Sequence, residues 1–315
     1  MASARRILYV VGFDATEAAV SWQVAALARA WHAPVVLLAG QQRRRWNLGI
    51  DRTARETARQ LSSIAARMKG YVADIRVAED SLPIAALRIA DEIGADLISV
   101  GAGERANAHP GHTDETALKI ARESRVDVFI CKPFADPYVG HVLCAADTTP
   151  ASGAAVMRAS EISRRFNAFL RIISVMPEPM WKHADDPEDQ VRHQQERQRA
   201  FLDQFDLRGV ALSRAAVWSR NAAVEVLDEA HRCGEGLLVI GASSHAPLPS
   251  GQLGPTAQAI LAECPSSLLI VKNRLSESML RRRQSTTSLD VAPHFGQTER
   301  SNVGAPSSND HSLNL

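Results

Sequence analysis

Asp147 directly follows the apolar run 142–146 (VLCAA) and precedes Thr148 and Thr149. A carboxylate at the end of such a strand can accept hydrogen bonds from a ribose hydroxyl or an adenine amine. The same residue can equally serve as the N-cap of the next helix, and both roles can coexist. Further along, an apolar strand runs into residues 241–256 (GASSHAPLPSGQLGPT), a loop rich in Gly and Ser that leads into an amphipathic helix. Such a loop can turn backbone N–H groups toward a phosphate, helped by the helix N-terminus, although an ordinary flexible connection has the same composition. His109, His112 and Asp114 are close enough in sequence to suggest metal ligands, but no convincing further ligand accompanies them, and a solvated polar loop explains them better. Arg43–Arg45 with Trp46 could bind or stack on an anion, or form a solvated loop. Met180, Trp181 and His183 precede a very polar helix at 188–208 and could cap a groove or staple that helix. Ser243 and Ser244 adjoin His245, but adjacency is not triad geometry, and no Ser–His–Asp set, paired carboxylates or Walker lysine is visible.

These residues need elements to hold them. Short apolar runs at 7–11, 34–39, 71–77, 96–100 and 126–131 alternate with helical stretches at 18–31, 51–69, 83–93 and around 116–123. In 18–31, Val20, Val24, Leu27 and Trp31 fall at helical spacing. Near-continuous apolar strands joined by helices imply a parallel sheet covered on both faces. The order then repeats, with strands at 142–146, 168–175, 215–218, 236–240 and 267–271 and helices at 154–165, 188–208 and 223–232. A shift of 140 residues brings Leu87 onto Leu227, Gly101 onto Gly241, Ala117 onto Ala257, Ile120 onto Ile260 and Lys132 onto Lys272. A shift of 135 brings Leu8 onto Leu143. The expected fold is therefore α/β: two tandem doubly wound, Rossmann-like parallel-sheet domains with helices on both faces. The first spans 1–136, the second 137–275. Residues 276–315, rich in Ser, Asn, Arg and Thr, are expected to form a disordered tail, with the run Arg281–Arg283 solvated.

The composition excludes several classes. The chain has 315 residues, 45% hydrophobic and 23% charged, with 36 basic and 35 acidic side chains. A net charge of +1 argues against an electrostatic nucleic-acid binder. No apolar run approaches the ~20 residues of a membrane span, and the run at 7–11 is short for a signal peptide. Four scattered cysteines, without a C-x-x-C pair, read as buried thiols in a reducing cytoplasm.

Over residues 4–273 the sequence resembles the universal stress proteins, in their tandem form. Nucleotide-binding members carry G-x2-G-x9-G-[S/T] after the fourth strand, and this chain has Gly241, Ser244, Gly254 and Pro255 at that spacing. Both outer glycines match, while Ser244 replaces the middle glycine and Pro255 the hydroxyl residue; Thr256 follows and could supply a hydroxyl from one residue further on. Asp147 matches the family's aspartate after the first strand, Ala145 its neighbour, and Val175 the second-strand residue against adenine. The resemblance implies ATP or a related adenine nucleotide in the second domain, with magnesium only as it accompanies ATP, and no separate metal site. It implies a cytoplasmic stress-response binding protein before an enzyme, with weak ATP hydrolysis, autophosphorylation or a scaffold role through protein partners as alternatives. In the first domain Gly101, Glu104 and Asp114 occupy the loop positions and Gly12 falls opposite Asp147, with Asp14 two residues on, so no ATP is expected there. An intramolecular pseudo-dimer is expected, the strands at 126–131 and 267–271 facing each other.

Overall fold

A computed structural model describes residues 5–40, 50–107, 109, 112–133, 139–177, 187–234, 236–242 and 252–272. The first five strands are β1 (Ile7–Val11), β2 (Val35–Gly40), β3 (Val72–Ala78), β4 (Leu97–Gly101) and β5 (Asp127–Cys131). Helices α1 (Glu17–Trp31), α2 (Ile50–Arg67), α3 (Leu82–Ile93) and α4 (Glu115–Glu123) connect them. The second five strands are β6 (His141–Ala145), β7 (Phe169–Met176), β8 (Leu212–Trp218), β9 (Leu237–Gly241) and β10 (Ser267–Val271). Their helices are α5 (Pro150–Phe166), α6 (Pro187–Leu202), α7 (Ala222–Cys233) and α8 (Pro255–Glu263). All ten strands join one sheet in the order β3-β2-β1-β4-β5-β10-β9-β6-β7-β8. Every neighbouring pair is parallel except β5 with β10. The α/β, doubly wound reading of the sequence thus holds; the tail at 276–315 lies outside the described residues.

Successive side chains of a strand point to opposite faces, and here both faces are covered. Ile7, Tyr9 and Val11 belong to the layer that also holds the buried residues of α1, α2 and α5, while Leu8 and Val10 belong to the layer that holds those of α3, α4 and α7. Both layers continue across β5 and β10, where Phe129 and Leu269 belong to one layer and Val128, Ile130, Leu268 and Ile270 to the other.

The β5–β10 register places Phe129 opposite Leu269, with Ile130 opposite Leu268 and Val128 opposite Ile270. Phe129 and Leu269, 140 apart in sequence, face each other at the centre, and the flanking pairs are arranged symmetrically about them. The polar groups at the ends of this seam follow the same symmetry. Ser267 Oγ accepts the Lys132 N–H at 2.9 Å, and Asp127 Oδ1, 140 residues earlier, accepts the Lys272 N–H at 2.9 Å. Gln23 of α1 closes one end through Lys132 O (2.6 Å) and Ser267 Oγ (2.8 Å). At the other end Arg158 of α5 grips Asp127 Oδ2 at 2.8 and 3.1 Å. Arg5 adds an ion pair to Glu161 at 2.6 Å, its guanidinium lying 4.6 Å over the Trp31 ring.

Two helix boundaries differ from the sequence reading by more than two residues. Helix α5 begins at Pro150, four residues before the expected 154, because Thr149 caps it and proline loses nothing at the first helical position. Helix α6 stops at Leu202 instead of running to 208, since the chain turns through Gly209 in a left-handed conformation (φ 73°) to reach β8.

Candidate functional site

In a parallel sheet, the loops at the carboxyl ends of the strands meet where the strand order reverses. In the second half that point lies at β6, flanked by β9 and β7. A cleft of about 300 Å³ opens there. Ile173 and Val175 of β7, Ile240 of β9 and Val226 of α7 give it apolar walls, with Ala145, Asp147, Gly241, Gly254 and Thr256 around them.

Asp147 occupies its position through a dense local network. Its Oδ1 accepts the Thr149 N–H at 2.8 Å, the Thr149 hydroxyl, and the Ser152 hydroxyl at 2.6 Å. Ser152 Oγ in turn accepts the Asp147 N–H at 3.0 Å. Among the described residues nothing bonds Oδ2, so one carboxylate oxygen is spent on the turn and the other is open. The N-cap of α5 is Thr149, whose hydroxyl accepts the Ser152 N–H. Asp147 is therefore not the cap but the residue that holds the cap, which corrects the N-cap alternative.

Gly241 closes the floor. A Cβ on it would stand 2.8 Å from the carbonyl carbon and oxygen of Ala151, and backbone cannot retreat as a flexible side chain can. The loop that starts here returns at Gly254, whose N–H donates to Ala242 O at 2.8 Å. Gly254 is the N-cap of α8 and offers no side chain to its amides. By contrast, Thr149 caps α5 and the Asn221 side chain caps α7 through the Ala223 and Val224 N–H groups. Among the described residues no side chain caps the start of α8, which brings its first amides and the positive end of a helix dipole to the cleft.

Of the residues expected at this site, Ala145, Asp147, Val175, Gly241, Gly254 and Thr256 line the one cleft. Pro255 is exposed at the first position of α8 and is not among the lining side chains. Ser244 lies outside the described residues, as do Ser243, His245, Arg43–Arg45, Trp46, Met180, Trp181 and His183. Sequence reasoning missed Ser152, Ser219 and Arg220, which also line the cleft. Ser219 and Arg220 follow the third strand of the half; searching only the loops after the first and fourth strands passed over them.

The first half repeats the frame. The Asp114 N–H donates to Ala102 O at 2.8 Å, just as Gly254 does to Ala242. Asp14 Oδ1 accepts the Thr16 N–H at 2.8 Å and the Thr16 hydroxyl, reproducing the Asp147–Thr149 turn. Asp14, and not Gly12, is thus the counterpart of Asp147. Strand pairing equates Ile7 with Val142, a shift of 135, whereas the turn and helix align at a shift of 133. Two extra residues between strand and carboxylate, with Phe13 at φ 55°, account for the difference.

The cleft these residues border measures about 150 Å³ and holds Asp14, Glu17 and Asp114 together with Val20. Asp114 lies directly over Gly103, where a Cβ would stand 1.7 Å from its Oδ2. Glu104 sits exposed in a short 3₁₀ turn and does not line the cleft. Glu17 accepts the Tyr9 hydroxyl and, at 3.2 Å, the Gly12 N–H; burial pushes its carboxyl up to about 7. His112 Nε2 stands 3.2 Å from Asp114 Oδ1, and His109 is exposed. No group of three metal-ligating side chains occurs among the described residues, and none of the described helices is long and apolar enough to cross a membrane.

Comparison with known proteins agrees with this architecture. A crystal structure of a functionally unknown protein from Pseudomonas aeruginosa PAO1 superimposes with a TM-score of 0.67 at 20% identity, covering 90% of this chain and 98% of that one. A universal stress protein from Archaeoglobus fulgidus DSM 4304 superimposes with a TM-score of 0.65 at 12% identity, covering 86% and 99%. At these identities the likeness establishes the fold. No curated protein matches the chain. Residues 139–272, which hold the whole of the larger cleft, match the universal stress protein family.

Proposed function

We propose that this is a cytoplasmic stress-response protein whose second domain, residues 137–275, holds ATP or a related adenine nucleotide. The observation that supports it is the convergence on one cleft of an open Asp147 carboxylate oxygen, apolar walls and the uncapped start of α8. Asp147 Oδ2 suits a ribose hydroxyl or the adenine amine, both donors. Ile173, Val175 and Ala145 suit the flat apolar base. The Thr256 hydroxyl and the amides beside it suit phosphate oxygens. Ser244 belongs to the same reading as part of the loop between Gly241 and Gly254. Pro255 enters by subtraction, since it brings no N–H where the family pattern has a hydroxyl residue.

The first domain, residues 1–136, acts in this reading as the other half of an intramolecular pseudo-dimer built on the β5–β10 seam. Among the described residues lining the larger cleft, Asp147 is the single carboxylate, and its Oδ1 already accepts three hydrogen bonds. That favours holding a nucleotide over hydrolysing it. Calorimetry of the full chain with ATP tests the reading: wild type should bind and Asp147→Ala should not. Absence of ATP or ADP binding by wild type overturns it. Steady phosphate release from ATP would replace the holder with a hydrolase.

A further inference from the structure

Arg220 stands between β8 and α7, directly before the α7 cap Asn221, and lines the larger cleft together with Gly254 and Thr256. It is the only cation among the described residues lining that cleft. A guanidinium offers a planar fork of N–H donors that matches two phosphate oxygens at once. The start of α8, opening on the same cleft, offers fewer donors than usual because its first residue is Pro255. The position 140 residues earlier, after β3 in the first half, carries Asp80, with Glu79 before it where Ser219 stands in the second. The half whose cleft collects carboxylates thus has acid at this position, and the half whose cleft has one carboxylate has arginine.

We infer that Arg220 is the phosphate-side cation of the cleft and makes it select phosphorylated adenine nucleosides over adenosine. The inference rests on the adenine-nucleotide reading and adds to it a residue outside the Gly241–Gly254 loop and a direction of selectivity. Arg220 is exposed and lies before the first residue of α7.

The test is calorimetry of the full-length protein with ADP and with adenosine, for wild type, Arg220→Ala, Arg220→Lys and Arg220→Asp, with melting curves to establish folding. Wild type should bind ADP more tightly than adenosine. Arg220→Ala should weaken ADP about tenfold, the scale of one lost charge-assisted contact at an exposed site, and leave adenosine within about twofold. Arg220→Asp should weaken ADP further, Arg220→Lys should recover part of the loss, and the salt dependence of ADP binding should shrink in Arg220→Ala. Equal wild-type affinity for ADP and adenosine overturns the selectivity. Unchanged ADP binding in Arg220→Ala, or an equal loss for ADP and adenosine, overturns the role of Arg220. Each of these leaves the nucleotide reading standing, whereas a wild type that binds neither compound removes both.

Discussion

At the first cleft Asp14, Glu17 and Asp114 converge on about 150 Å³; at the second Asp147 faces about 300 Å³ that also receives Arg220. The backbone frames are the same, from the turn after the first strand to the hydrogen bond that closes the long loop. What differs is a handful of side chains. Asp114 stands where the second half has Gly254, Val20 where it has Gly153, Glu17 where it has Pro150 and Tyr9 where it has Cys144. The comparison teaches that the scaffold supplies a cleft at the strand-order reversal, and that charge and volume at a few positions decide whether an anion can enter it.

The strongest test of the shared scaffold lies at the seam, where the same position is Asp127 in one half and Ser267 in the other. The Asp127 and Arg158 side chains are 8% and 13% exposed, and they meet at 2.8 Å. Asp127→Ser makes the two halves alike but takes from Arg158 its closer carboxylate and leaves it only Glu161 at 3.3 Å, so it should cost about 3–5 kcal/mol of unfolding free energy. Ser267→Ala removes an acceptor for the Lys132 N–H and should cost only about 1–2 kcal/mol. Denaturant titration distinguishes them, and equal losses would show that the two ends of the seam do not differ as their side chains imply.

The half-buried Glu17 gives the first cleft a pH signature that the second lacks. Burial raises its carboxyl from 4.5 to about 7 in the folded chain. Between these values the folded state keeps a proton that the unfolded state releases, so stability falls as pH rises from about 4.5 to 7 and levels off above. The full span is on the order of 3 kcal/mol. Glu17→Gln should abolish that slope, leaving the variant more stable than wild type at pH 8. Parallel pH profiles for the two proteins would show that the Glu17 carboxyl is not held protonated.

Exchanging the residue at the start of the last helix tests the comparison at the ligand. Gly254 has φ −68°, open to any side chain, so Gly254→Asp imports the first cleft's carboxylate without backbone strain. ATP affinity should fall by at least about 100-fold, or roughly 2.7 kcal/mol. Asp114→Gly should not create binding in the first half, because Glu17, Val20 and the two-residue insertion remain. Calorimetry reads both, and ATP bound at the first cleft of Asp114→Gly would show that one carboxylate was the whole difference. On the same loop, Pro255→Ser should strengthen ATP binding by restoring an amide.

Much of this was legible before any coordinates. Apolar runs bounded by helical stretches identify ten strands, and the 140-residue shift identifies the last strands as symmetry mates. Asp147, Gly241 and Gly254 stand out because their chemistry is local to a strand end. The counterpart of Asp147 did not, because an insertion of Gly12 and Phe13 shifts the turn against the strand by two residues and a fixed offset cannot follow it. Arg220 was missed because its meaning depends on which loops the sheet order brings to one cleft. Spacing assigns Glu104 to the phosphate loop, yet a short 3₁₀ turn leaves it exposed and off the cleft wall.

Ser152 offers the finest distinction between the clefts. The first half has Ala19 at this position when the helices are aligned on their caps, so Asp14 keeps two of the hydrogen bonds that Asp147 receives and lacks the third. Ser152 donates to Asp147 Oδ1 at 2.6 Å and accepts the Asp147 N–H at 3.0 Å, fixing both ends of the residue. It is 7% exposed and, on this reading, touches nucleotide only through the orientation it gives the carboxylate. Ser152→Ala should therefore leave Asp147 in place but loosen the direction of Oδ2, weakening ATP about fivefold, close to 1 kcal/mol. Ser152→Thr keeps the hydroxyl and should recover part of that loss where its extra methyl is accommodated. In the background of Asp147→Asn, which removes the charge but leaves weakened binding measurable, Ser152→Ala should change little further, since a positioning residue has no effect once the carboxylate it positions is gone. Additive losses in the double variant would instead place Ser152 in direct contact with the nucleotide.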